Sequence, residues 1–101
     1  MGSLIYGSPG SSLEMDDRLL AHLQLVIITK LRRNEQFLLS WDQDEAYDRG
    51  HTAIWINSAI PLHFKYIGSR RPVLNRVWTE ALMDSANSSG GLRVIPEPAE
   101  H

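Results

Sequence analysis

The segment "KYIGSRRP", residues 65–72, contains the residue types best able to do chemistry in this chain. It holds Lys65, a glycine three residues later and two adjacent arginines. A lysine acts as a nucleophile when its surroundings depress its pKa. Here the alternation of the residues predicts a strand that carries Lys65 and His63 on its outward, solvated face. The segment is therefore interpreted as the connection from a strand to a helix, with a basic outer surface.

Basic side chains are concentrated in two parts of the chain, although the formal net charge is only −2. They are Lys30, Arg32 and Arg33 in the first part and Lys65, Arg70, Arg71 and Arg76 in the second. Local fields of this kind attract polyanions even when the total charge is small, so these residues are the predicted contacts for a nucleic acid. Alternatively, Arg70 and Arg71 pair with the acidic segment 42–48, in the same chain or in a partner chain.

The sequence carries no motif for catalysis or for cofactor binding. It has no cysteine, which excludes disulfides and thiolate metal sites, and its four histidines show no paired-ligand spacing. His22 is expected at the surface, on the polar ridge of a helix. There is no nucleophile elbow, Walker loop or dinucleotide-binding glycine motif. The sequence therefore predicts no catalytic residue, no metal site and no cofactor.

Hydrophobic periodicity predicts an α+β domain of order ββαβββαβ, with a mainly antiparallel sheet and two helices packed on one face. A hairpin at the N-terminus precedes a helix from about residue 17 to residue 33. Asn34 can then take the left-handed conformation that ends a helix.

The second half of the chain continues with three strands and a second helix. The strands lie in "FLLSW", "TAIWIN" and "LHFKYIG". The second helix is expected to begin near Pro72, with Asn75 as the competing cap, and its apolar stripe then includes Val73 and Leu74. "LRVI" is the last short strand.

A chain of 101 residues is long enough for one domain, and we expect that domain at residues 1–98. The closing "PEPAEH" is expected to be frayed, with 99–101 as a disordered tail. The first residues lack the basic and apolar regions of a signal peptide, and the longest apolar stretch is far short of a membrane span. The expected location is the cytoplasm, without a membrane partner.

The chain carries more large apolar side chains than one sheet face and two helices of this size easily bury. Those predicted to form an interface are Leu25, Ile28, Trp41 and Trp55. A symmetric homodimer or a complex with a protein partner would cover them. The alternative is that the tryptophans belong to the core of a single chain.

Several segments taken together resemble one protein family. They are "LIYG", "DDRLLAHLQLVIITKLRR", "SAIPLHFKYIGSR", "NRVWTEALMDSANS" and "LRVIPEP". The chain is similar to a family of small uncharacterised actinobacterial proteins whose members often carry the name "ATP-dependent DNA ligase". The resemblance extends from the first strand to Pro98. It implies that the chain is related to this family, but it implies no particular reaction.

The ligase name is tested by the motif that such enzymes need. DNA ligases of this type attach AMP to the lysine of a K-x-D-G motif, and "KYIG" has Ile67 where the aspartate is required. The chain is therefore not expected to be a self-contained DNA ligase or another enzyme. Because of its surplus of large apolar side chains, we interpret it as a small interaction or regulatory module that self-associates or binds a protein. A nucleic-acid-binding accessory protein is the alternative.

Overall fold

The computed structural model describes residues 2–7, 10–42 and 51–99. Its elements are β1 (Gly2–Tyr6), β2 (Ser11–Met15), α1 (Asp17–Arg32), β3 (Phe37–Asp42), β4 (His51–Ile56), β5 (Leu62–Lys65), α2 (Arg76–Ala86) and β6 (Leu92–Arg93). The predicted α+β class and the predicted order ββαβββαβ are both confirmed. Most of the predicted acidic segment and the last two residues of the predicted tail lie outside the described residues.

The strands form two three-stranded sheets, where the sequence predicted one. The first sheet has the order β2-β1-β5 and is antiparallel, whereas the second has the order β4-β3-β6, with β6 parallel to β3. A turn that begins at Asn57 separates β4 from β5, and the carbonyl of Pro61 then accepts a hydrogen bond from the backbone N–H of Gly7 at 3.0 Å. This hydrogen bond continues the pairing of β5 with β1 beyond Tyr6 and Leu62, and β4 lies at an edge of the other sheet.

The core lies between the two sheets and the two helices. Its buried side chains include Leu4 of β1, Leu20, Leu23, Val26 and Ile27 of α1, Phe37 and Leu39 of β3, and Trp78 and Leu82 of α2. α1 packs against β1 and α2, and α2 packs against β3 and β6. The apolar surface of α1 therefore packs against the first sheet through β1 and against the second helix, as expected for a helix that is apolar around much of its circumference.

The helix ends test the predicted boundaries. Asn34 has a φ of 63°, which confirms its predicted left-handed conformation after α1. α2 begins later than Pro72, because the side chain of Asn75 accepts a hydrogen bond from the backbone N–H of Trp78 and so caps the helix. Val73 and Leu74 consequently precede the helix and are exposed, the first by 80%. Their predicted place on the apolar stripe of the helix is wrong.

Candidate ligand-binding groove

The connection between β5 and α2, residues 66–75, runs along one side of α1 and is fastened to it near its start. The carboxylate of Asp17 accepts hydrogen bonds from the backbone N–H groups of Gly68, at 2.9 Å, and Ile67, at 3.3 Å. The hydroxyl of Tyr66 donates to the side-chain carbonyl of Gln24. These contacts tie the "KYIG" turn to the first two turns of the helix.

A second set of contacts fastens the end of the same connection. Arg18 donates from Nη1 to the backbone carbonyl of Val73 at 2.6 Å. The backbone N–H of Asn75 donates to Nε2 of His22 at 2.7 Å. Since Asp17 and Gln24 hold one end and Arg18 and His22 hold the other, the chain between them must arch over the helix.

The arch consists of residues 69–72 and borders a groove of about 450 Å³ that is partly open to solvent. Within the described chain these residues form no hydrogen bond with α1. The groove is lined by Ala21 and Gln24 of α1 and by Tyr66, Arg70, Arg71 and Leu74 of the connection, among others. Ala21 lies one turn from Asp17 and from Arg18 along the helix, and its methyl side chain leaves the space beneath the arch open.

The charges around the groove are of two kinds. Hydrogen bonds from the backbone, chiefly from Gly68, lower the pKa of Asp17, so that this acid is already partnered at the end of the groove. Burial raises the pKa of Tyr66, with a smaller contribution from the charge of Asp17. Arg70 and Arg71 are exposed, and neither forms an ion pair or hydrogen bond with any residue that the structure describes. The free charge at the groove is therefore positive.

His22 is fully buried, and its predicted surface position is wrong. Its ring lies against the indole of Trp78, with 4.5 Å between ring centroids. Nδ1 is 2.6 Å from the carbonyl oxygen of Arg18 and must donate to it, because Nε2 accepts from Asn75. Helical periodicity places this residue on a polar ridge, but it does not reveal that the cap of α2 covers the ridge.

Glu97 extends the same network into the C-terminal residues. Arg18 donates to its carboxylate from Nε at 2.8 Å and from Nη2 at 2.6 Å, and Asn75 donates from Nδ2 at 3.0 Å. These hydrogen bonds, of which the one from Arg18 contributes most, lower the pKa of Glu97 to about 2. The carbonyl of Pro98 also accepts from Asn75. Glu97 and Pro98 are therefore anchored, and the expectation of a frayed "PEPAEH" segment is wrong for these two residues.

Comparisons with known proteins match residues 1–97 to the family described as "Domain of unknown function (DUF7882)". The chain belongs to the DUF7882 family. No curated protein and no solved structure is significantly similar to it. The resemblance to an uncharacterised family is thus confirmed, and the description of DUF7882 names no activity.

Only some of the basic residues of this DUF7882 chain adjoin the groove. Arg70 and Arg71 line it, and Lys65 is exposed on the outward face of β5 before it, as predicted. Arg32 and Arg33 are exposed at the opposite end of α1, about 22 Å along the helix axis from Asp17 at a rise of about 1.5 Å per residue.

The remaining two basic residues have partners in the same chain. Lys30 is only 6% exposed, and its Nζ lies 2.8 Å from both Oε1 of Glu35 and Oδ1 of Asn87. Arg76 lies 3.9 Å from Glu80, one turn later on α2. The seven basic residues therefore do not form one continuous surface.

The predicted interface residues of this DUF7882 member occur on different elements. Leu25 and Ile28 are 44% and 37% exposed on α1, and Trp55 is 51% exposed on β4 of the second sheet. The indole N–H of Trp55 donates to the side chain of Gln36 at 3.0 Å. The side chain of Trp41 lies outside the described residues. Leu25 and Ile28 thus share a surface, and Trp55 lies elsewhere.

Sequence reasoning did not select Ala21 and Gln24, although both line the groove. The available signal was weak: a small residue and an amide, three positions apart, on a helix whose other positions are mostly large and apolar. Among the residues described, no three histidine, aspartate or glutamate side chains come together as metal ligands. No helix in the same part of the chain has the length and apolar character needed to cross a membrane.

Proposed function

We propose that this protein is a small binding module that self-associates through an apolar surface on α1 and the adjoining connection. The surface comprises Leu25 and Ile28 of α1, Ile67, Val73 and Leu74 of the connection, and Val77 at the start of α2, all of them exposed. Trp55 is the one other large apolar side chain with comparable exposure in the described chain. Six of the seven large apolar side chains exposed in the described residues belong to α1 and to the segment 67–77, which is hydrogen-bonded to α1, and this is the observation that carries the proposal.

The charge of the helix favours a second copy of the chain as the partner. Residues 21–29 of α1 carry no acidic residue, no lysine and no arginine, and His22 within them is buried. In a two-fold dimer a charge close to the symmetry axis meets its own copy, so the uncharged stretch of α1 can lie at the axis, whereas Arg70 and Arg71 of the connection must lie away from it. Leu25 and Ile28, three positions apart, lie on the same face of the helix and avoid this cost.

Sedimentation velocity over a range of protein concentrations tests the proposal. We expect the wild type to show a concentration-dependent dimer, and we expect Leu25→Glu and Ile28→Glu to be monomeric with unchanged circular dichroism. Trp55→Glu is the matched control, because it changes an exposed apolar residue on the other sheet. A wild type that is monomeric at the highest concentration, or a dimer that only Trp55→Glu disrupts, would contradict the proposal.

Nucleic-acid binding is the second candidate, and it is favoured by Lys65, Arg70 and Arg71, which are exposed and whose side chains have no partner among the residues that the structure describes. Such binding depends on neutralised phosphates and weakens steeply with salt. Fluorescence anisotropy with labelled single-stranded and duplex DNA at low and moderate salt would detect it. Arg70→Ser should then weaken binding more than Arg33→Ser does, and the absence of binding at low salt would exclude this candidate.

A further inference from the structure

We infer that the groove beneath residues 69–72 is a binding site for a small organic anion with an apolar body. The anionic head group, a carboxylate or a phosphate ester, would be held by Arg70 and Arg71. The apolar body would lie against Ala21, Pro72 and Leu74. This site adjoins the surface proposed above for self-association and shares Leu74 with it, so separate variants are needed to test the two.

The size of the groove and the hydrogen bonds at its two ends support a small ligand. Its volume of about 450 Å³ is within the range of about 300–1,000 Å³ that small-molecule sites occupy. At one end of the groove a hydrogen bond joins Asp17 of α1 to Gly68, and at the other end a hydrogen bond joins Arg18 of α1 to Val73. An extended peptide that continued in both directions would have to break one of these tethers. A ligand that ends within the groove would not.

The floor of the groove depends on the small side chain at position 21. Asp17 and Gln24 bind the start of the connection, and Arg18 binds its end. Ala21 lies one turn from each of these residues, so it is directly beneath the arch. A larger side chain here would fill the groove without removing any tether. The ligand's apolar part would meet this methyl group and the side chain of Leu74, which is 41% exposed.

The charge of the groove selects the head group. The guanidinium groups of Arg70 and Arg71 have no partner in the described residues and can bind a carboxylate or a phosphate in a bidentate manner. Ser69, beside them, also lines the groove and adds a hydroxyl donor. Asp17 approaches from the tethered end, where backbone N–H groups already hold its charge. An anion bound by the two arginines would therefore neutralise the positive charge that the described residues leave without a partner.

The test is to titrate ¹⁵N-labelled protein with octanoate, with octyl phosphate and with neutral octanol, and to record two-dimensional NMR spectra at each step. Octanoate and octyl phosphate share the apolar chain and differ in the head group, so their comparison identifies the preferred anion. We expect one or both to shift the amide signals of Ala21, Gln24 and residues 68–71 with saturation. Octanol should bind at least about tenfold more weakly, because it lacks the charge.

Variants separate the groove from the rest of the surface. Ala21→Leu should abolish the saturable shifts, whereas Ala53→Leu, on an exposed part of β4, should not change them. Arg70→Ser and Arg71→Ser should each weaken binding about tenfold, as expected for a charge-assisted hydrogen bond. Arg33→Ser, at the far end of α1, is the control for net charge. Repeating the titration on Leu25→Glu shows whether the groove binds independently of self-association.

Three results would overturn the inference. They are the absence of saturable shifts for both anions, equal binding of octanol, and unchanged binding by the Ala21→Leu variant. The last result, combined with weaker binding by the arginine variants, would assign the arginines to polyanion binding at the surface. Because Leu74 belongs to both proposed surfaces, the titration of the Leu25→Glu variant separates the two proposals, and absence of saturable shifts in that monomeric variant would also overturn the inference.

Discussion

Nε2 of His22 on α1 accepts a hydrogen bond of 2.7 Å from the backbone N–H of Asn75, the residue that caps α2. At the other end of α2, Lys30 binds the side chain of Asn87, the C-cap, at 2.8 Å. α2 is thus fastened to α1 at both of its caps, and the two helices run in the same direction. This frame fixes the end of the connection that arches over the groove.

The contact between His22 and Asn75 predicts a large loss of stability for His22→Ala. The substitution removes a buried ring that packs on Trp78 and leaves the backbone N–H of Asn75 without its acceptor. We expect the free energy of unfolding to fall by about 2–4 kcal/mol, measured by urea denaturation. His63→Ala, on the exposed face of β5, should change it by less than about 0.5 kcal/mol. Similar losses for the two variants would contradict the assigned role of His22.

The buried ammonium of Lys30 predicts an effect on both stability and the pKa of Glu35. A hydrogen bond from Lys30 is the main cause that lowers the pKa of Glu35. In Lys30→Ala we expect this pKa to rise towards its usual value, and the free energy of unfolding to fall by about 1–2 kcal/mol. Carboxyl ¹³C NMR and urea denaturation measure the two effects. Arg32→Ala, an exposed change two positions later, should leave both nearly unaltered.

The network around Glu97 predicts a specific dependence of stability on pH. Its pKa in the folded protein is lowered to about 2 from 4.5, mainly by the hydrogen bond from Arg18. The carboxylate therefore stabilises the fold fully above pH 4.5, and this contribution is lost as the pH falls towards about 2. We expect Glu97→Gln to be less stable than the wild type at pH 6, with the difference disappearing near pH 2.

The measurement for Glu97 is urea denaturation of the wild type and of Glu97→Gln at several pH values. Glu80→Gln is the matched control, because Glu80 is exposed and lies 3.9 Å from its arginine. The free energy of unfolding of Glu80→Gln should differ little from that of the wild type at every pH. A Glu97→Gln difference that did not vary with pH would contradict the role given to the carboxylate.

The position of Lys65 predicts that the protein forms no covalent adduct with AMP. Lys65 is exposed on β5, and Ile67 occupies the place of the aspartate in the ligase motif. We expect no labelled protein after incubation with labelled ATP, magnesium and nicked DNA, followed by denaturing electrophoresis. A known ATP-dependent ligase serves as the positive control. A stable AMP adduct of the wild type that is lost in Lys65→Ala would instead show that Lys65 is a nucleophile.

The pairing of the strands shows where prediction from sequence reached its limit. Alternation correctly located β3 and β5, because a strand with one buried face repeats every two residues. It did not show that β5 would pair with β1, since a period of two locates a strand but does not identify its partner. Similarly, periodicity placed most of α1 correctly but could not show which segment covers its polar side.

The sequence alone determined the fold class, the order of the elements and the exposed position of Lys65. These features follow from local patterns, since periodicity and capping residues act over a few positions along the chain. Only the tertiary structure decided that His22 is buried, that Lys30 faces Glu35 and Asn87, and that Ala21 lies beneath Arg70 and Arg71. Apart from Lys30 and Glu35, which are near neighbours in the sequence, these contacts join residues about 50 positions apart, and no local pattern encodes the path of a connection between two elements.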